Sequence, residues 1–125
     1  IFFYCQRIKT VQESIRQMHA MGFLCSLDDF GSGFSSLGLL KEFDVDTLKL
    51  DRSFFLNISD GRGQEIIGCL IALAGKLRVQ TVAEGIETPK QLEYLRSVQC
   101  DMVQGFIFSK PLPAAEFEKW AVQYI

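Results

Sequence analysis

Four times along this chain a stretch with helical spacing gives way to a short apolar run, and each run delivers charged or amide residues at its end. Thr10 followed by Glu13 reads as a capping box. Val11, Ile15 and Met18 then repeat at helical spacing until Gly22 offers a stop. The run 23–27 ends at Asp28 and Asp29, ahead of a loop opening on Phe30-Gly31-Ser32-Gly33. A short helical stretch over 36–43 leads into the run 45–51, whose exit carries Lys49 and Asp51. Gly61 and Gly63 mark a turn. The helix behind it sets Ile66, Leu70, Leu73 and Leu77 on one face with Ile67, Ile71 and Ala74 beside them, and is expected to be the most deeply buried. The run 79–83 ends in Glu84-Gly85. Thr88, Pro89 and Gln91 open a further helix with Leu92 and Leu95 as its stripe. The run 102–108 carries Gln104. Pro111 and Pro113 close it, and Phe117, Trp120, Ala121 and Tyr124 form a last amphipathic helix.

Alternation of this kind implies parallel strands joined by crossover helices, with no linker dividing the chain. An eight-stranded barrel takes about 250 residues, so 125 residues correspond to four β/α units, half of such a barrel. In α/β folds chemistry gathers at the C-terminal ends of the strands. Asp28, Asp29, Lys49, Asp51, Glu84 and Gln104 all fall there.

A net charge of -2 without a basic stripe argues against binding to nucleic acid or anionic membrane by charge alone. The apolar stretches fall short of the ~20 residues that span a bilayer, and no cleavable leader precedes them, so the cytoplasm is the expected compartment. Cys5, Cys25, Cys69 and Cys100 form no C-x-x-C pair and read as reduced core residues. His19 is the only histidine. Any metal is therefore expected on carboxylates, which suit Mg²⁺ or Mn²⁺.

Acids before Gly-rich turns often make only local hydrogen bonds. Two adjacent carboxylates at a strand end can equally ligate or bridge one or two divalent ions. Glu84, after a mostly apolar strand, must be solvated, paired or metal-bound. Lys49 lies between Leu48 and Leu50 and projects opposite to them. There it either pairs with an acid, or orients a water or neutralises a phosphate. Gln104 reads equally as a satisfied core amide. Acids, one lysine and one amide at four strand ends point to metal-assisted hydrolysis of a phosphate ester.

The strings DDFGSGFSSL, VDTLKLDRSFF, TVAEGIET and VQGFIFSKPLP, in this order and spacing, resemble the C-terminal half of an EAL domain. The resemblance covers nearly the whole chain and makes residues 1–125 a partial EAL domain. It implies a modified TIM-type barrel whose parent hydrolyses cyclic di-GMP to linear pGpG with two Mg²⁺ or Mn²⁺ ions. It also implies that Asp28 and Asp29 are metal ligands and that Glu84 is a metal ligand or general base. On the same ground Lys49 orients water or contacts phosphate, Asp51 supports the site, and Gln104 lies close to the bound water. The segment between Phe30 and Leu37 is implied to couple the site to homodimerisation. A sensor or diguanylate cyclase (GGDEF) domain is an expected upstream neighbour.

Ser32 stands where Thr is commoner in the family, and Arg78 and Gln99 where glycine is usual. The E-A-L glutamate, the next strand's asparagine and the E-L-T-E glutamate are expected before Ile1, so the isolated chain is expected to be inactive. A degenerate EAL domain acting as a cyclic di-GMP receptor is the alternative. A phosphoacceptor receiver domain also fits 125 residues, an Asp pair and Lys110-Pro111, but it should open with a strand and needs five.

Overall fold

The structure is a computed structural model that describes residues 2–30, 37–56 and 59–124, without the side chains of 2–6 and 29. Helices α1 (Phe2–Ala20), α2 (Leu37–Glu42), α3 (Gly61–Lys76), α4 (Pro89–Ser97) and α5 (Ala114–Val122) alternate with strands β1 (Ser26–Phe30), β2 (Thr47–Leu50), β3 (Gln80–Ala83) and β4 (Met102–Val103). All pairings are parallel and the order is β1-β2-β3-β4. Strands that pair in chain order without a reversal build a barrel wall. A doubly wound receiver sheet reverses its order, so that reading falls.

Along β2 the side chains of Leu48 and Leu50 are fully buried while those of Thr47 and Lys49 occupy the other face, as alternation requires. Phe55, Ile86 and Leu95 complete this core with Ile67, Ile71 and Ala74 of α3. The stripe expected to lead α3 inward is thereby corrected. The side of α3 that meets β3 is the Ile67 side, leaving Ile66 and Leu77 about half exposed.

Three further boundaries differ from expectation. No Gly or Pro interrupts the sequence before Gly22, so α1 runs on from Phe2 and Thr10 lies inside it, its carbonyl accepting the Ser14 hydroxyl. β1 begins at Ser26 and contains Asp28 and Asp29 rather than ending before them. β4 stops after Val103 because the backbone at Gly105 closes onto Ile86, where a Cβ would sit 2.1 Å from the Ile86 carbonyl oxygen. The capping box of α4 forms as expected, with Thr88 and Gln91 each bonding the other's backbone N–H. Arg78 and Gln99, which follow the C-caps of α3 and α4, adopt the left-handed region at φ 60° and 61°. That conformation is the physical reason glycine suits both places.

Candidate functional site

The C-terminal rim of the sheet is laid out by main-chain hydrogen bonds. Each residue just past a strand donates its N–H to the last carbonyl of the preceding neighbour: Asp51 to Phe30 at 3.0 Å, Glu84 to Leu50 at 3.1 Å, Gln104 to Ala83 at 2.8 Å. On β1, three residue steps from Leu27 to Phe30 answer two steps on β2, from Leu48 to Leu50. This irregularity is a bulge, and it falls on Asp28-Asp29. A bulge breaks strict alternation and re-aims the side chains it carries.

Lys49 stands at the centre of the rim. Its Nζ lies 2.8 Å from Glu84 Oε1 and 3.6 Å from Asp28 Oδ1, joining the exits of three neighbouring strands. The hydrogen bond to Glu84, with the charges of Glu84 and Asp28, raises the Lys49 pKa above its usual value although partial burial opposes this. Lys49 is therefore an ammonium at neutral pH. The Glu84 side chain is 18% exposed and that of Asp28 60%, so solvent and ligands reach the trio from the β1 side. Two carboxylates face one ammonium. The excess negative charge and all-oxygen donors fit a hard divalent cation.

The remaining expected site residues are placed differently. Asp51 turns onto its own chain, accepting the Ser53 N–H at 2.9 Å and capping the 3-10 turn Arg52–Phe55. The bonds from Ser53 hold its carboxyl below the usual carboxylate range. Gln104 is exposed and opens on a cavity of about 370 Å³ whose wall includes Phe106, Lys110, Phe117 and Trp120. Lys110 Nζ sits 5.8 Å from the centre of the Phe106 ring, and Phe117 stacks on Trp120 at 6.0 Å. The sequence places Phe106 in the run 102–108 and Phe117 and Trp120 on an amphipathic helix, and gives no sign of the cavity they share. The Asp29 side chain and residues 31–36, with most of the loop expected to dimerise, lie outside the described residues.

The cysteines are also corrected in part. Cys25 and Cys100 are half-buried and Cys69 is exposed, all with free thiols, while the Cys5 side chain lies outside the described residues. At the opposite end of the sheet the fold gathers His19, Cys25 and Asp46, a group the sequence reading also misses. Separations of 27 residues from His19 to Asp46 and 21 from Cys25 to Asp46 leave no local pattern to find.

The model of the EAL domain family matches residues 4–111. The cyclic di-GMP phosphodiesterase NbdA of Pseudomonas aeruginosa is 45% identical over 111 residues, covering 88% of this chain and 14% of that protein. The crystal structure of the EAL domain of Mycobacterium smegmatis DcpA superposes with a TM-score of 0.87 at 39% identity, covering 93% of this chain and 52% of that one. A complex of Klebsiella pneumoniae BlrP1 with manganese and cyclic di-GMP gives a TM-score of 0.76 at 33% identity, covering 81% of this chain and 26% of that one. The chain thus spans about half of the DcpA domain and a smaller share of the other two.

Proposed function

The chain belongs to the EAL domain family, and on that premise we propose that it supplies one part of a site that hydrolyses cyclic di-GMP to linear pGpG. The observation that carries this reading is Lys49 held between Asp28 and Glu84 at adjacent strand exits. Residues 1–125 form a partial EAL domain in this proposal, and the rest of the site comes from a further segment of the parent. The open parallel sheet, with β1 and β4 as edges among the described residues, supports that division.

Asp28, Asp29 and Glu84 are the residues to hold Mg²⁺ or Mn²⁺, which when bound activates water and draws charge from the phosphoryl oxygens. Glu84 fixes the Lys49 ammonium through their hydrogen bond. Lys49 then places a fixed positive charge where the phosphodiester gains negative charge. Gln104 offers an amide donor and acceptor to water or phosphate at the next strand exit. Asp51 acts by holding the turn behind Lys49. Homodimerisation through the segment between Phe30 and Leu37 belongs to the same proposal, supported by an apolar groove that Leu37 shares with Ile66, Leu70 and Leu73. An upstream sensor or GGDEF domain and a cytoplasmic setting complete it. No described helix is long and apolar enough to cross a membrane.

The test is incubation of the parent protein with cyclic di-GMP and Mg²⁺ or Mn²⁺, followed by chromatography. Metal-dependent pGpG is the expected product. Saturable nucleotide binding without product would replace this reading with a receptor.

A further inference from the structure

Outside the rim just described, the described residues hold one group of three side chains able to share a metal ion: His19, Cys25 and Asp46, each half-buried, with one ligand atom apiece lying within 4.8 Å of one another. They come from three separate places in the chain. His19 lies in the last turn of α1, Cys25 directly precedes β1, and Asp46 directly precedes β2. All three therefore meet at the N-terminal end of the sheet, away from Lys49.

The group is already organised. Asp46 Oδ2 lies 2.7 Å from His19 Nε2 and accepts the Cys25 backbone N–H, also at 2.7 Å. The Cys25 carbonyl in turn accepts the N–H groups of Asp46 at 2.8 Å and Thr47 at 3.2 Å. Two of the three residues are thus pinned by β-sheet hydrogen bonds, and the third sits on the final turn of a long helix. Fixed donors of this kind bind metal without a large ordering cost. Beside His19 lies a cavity of about 280 Å³ lined also by Gln12, Arg16, Glu42 and Asp44, with space for a bound water and two further carboxylates within the same pocket.

We infer that His19, Cys25 and Asp46 form a binding site for a borderline-soft divalent ion, Zn²⁺ above all, which ties the end of α1 to strands β1 and β2. Imidazole nitrogen, thiolate sulfur and carboxylate oxygen are the ligand types Zn²⁺ takes in tetrahedral sites, at about 2.0–2.3 Å. The thiolate selects against Mg²⁺ and Mn²⁺, so the two ends of the sheet prefer different metals. Binding requires His19 Nε2 to exchange its hydrogen bond with Asp46 for the ion and the Cys25 thiol to release its proton. A water from the adjacent cavity completes four-coordination. The role is structural: among the described residues α1 reaches this region through the His19–Asp46 bond, through Ile15 against the core, and through the Gln12 amide, which donates to the Glu42 carbonyl of α2 at 2.8 Å.

The experiment is Zn²⁺ titration of the chelator-treated protein, read both by thermal melting and by the sulfur-to-metal charge-transfer band of Co²⁺ used as a probe. The expected result is one thiolate-bound ion per chain, a higher melting temperature with Zn²⁺, and a Co²⁺ band that disappears in Cys25→Ser. That variant leaves the His19–Asp46 bond intact, so its fold is retained and its Zn²⁺ affinity should drop by at least about tenfold. Cys69→Ser, with its exposed thiol elsewhere, should titrate like the unmodified protein. Absence of a Co²⁺–thiolate band, or Zn²⁺ affinity unchanged in Cys25→Ser, would overturn the site and leave the His19–Asp46 pair as a simple tether.

Discussion

The two ends of the sheet use the same residue type in opposite ways. At the N-terminal end, Asp46 and Asp101 precede their strands and turn their carboxylates onto the neighbouring backbone: Asp46 accepts the Cys25 N–H, and Asp101 accepts both the N–H and the hydroxyl of buried Thr81, at 2.8 and 3.2 Å. At the C-terminal end, Asp28 and Glu84 direct theirs at the Lys49 side chain. Parallel strands explain the contrast. The first residues of a strand leave N–H groups at one end and the last leave carbonyls at the other, so an acid is a natural partner for main chain only at the N-terminal end. At the carbonyl end the Glu84 carboxylate points instead to a side-chain cation, the Lys49 ammonium. Asp51, at the same end, bonds main chain because the turn after it brings the Ser53 N–H back to its carboxylate.

If that division is right, substitutions at the two ends should separate activity from stability. Glu84→Gln retains shape and a hydrogen-bond acceptor for Lys49 but removes a charge. In the parent protein it should lower pGpG formation by roughly 10²-fold or more while shifting the melting temperature little. A near-normal rate would mean that Glu84 is merely the salt-bridge partner of Lys49. Gly85→Ala, one residue further on, should damage both properties. With φ at +72° and a new Cβ only 2.4 Å from Arg52 Cβ, it should cost about 2–4 kcal/mol in denaturant unfolding.

Asp46→Ala should show the opposite balance. It orphans the Cys25 N–H and removes the tether to His19, so about 1–3 kcal/mol of stability should be lost with a chelator present, while the rate falls far less than in Glu84→Gln. The pH dependence carries its own sign. The folded-state pKa of Asp46 is lowered, so its contribution is fully present above the unfolded value of about 3.9 and vanishes as pH falls through the lowered value. The stability gap between the unmodified protein and Asp46→Ala should therefore narrow in acid, measured by urea midpoints from pH 6 downward. A constant gap would remove the electrostatic part of the argument.

The smallest expected effect sharpens the comparison from outside both ends. Arg78→Gly and Gln99→Gly relieve a left-handed backbone and should each stabilise by about 0.5–1 kcal/mol without touching activity. Matching chemical-denaturation curves for variant and parent would show that these side chains hold their turns by contacts that offset the strain.

Local order in the sequence settled much of this molecule. Alternation of helical and strand periods dictated parallel β/α units, the Thr88-Gln91 box started α4 where expected, and the placement of Lys49 between Leu48 and Leu50 assigned it to the face opposite the core. These features depend on neighbours a few residues apart. Tertiary structure alone decided the rest. The β1 bulge that re-aims Asp28 exists only in the pairing with β2, and the buried stripe of α3 was chosen by the strand it meets. The Asp51 cap on the Arg52–Phe55 turn is by contrast a local bond, between residues two apart, that the expectation of a rim role overlooked. His19, Cys25 and Asp46 carry no shared signal in the chain, because what joins them is the parallel register of β1 and β2 together with the docking of the end of α1, relations between distant residues that the local pattern of a single chain does not encode.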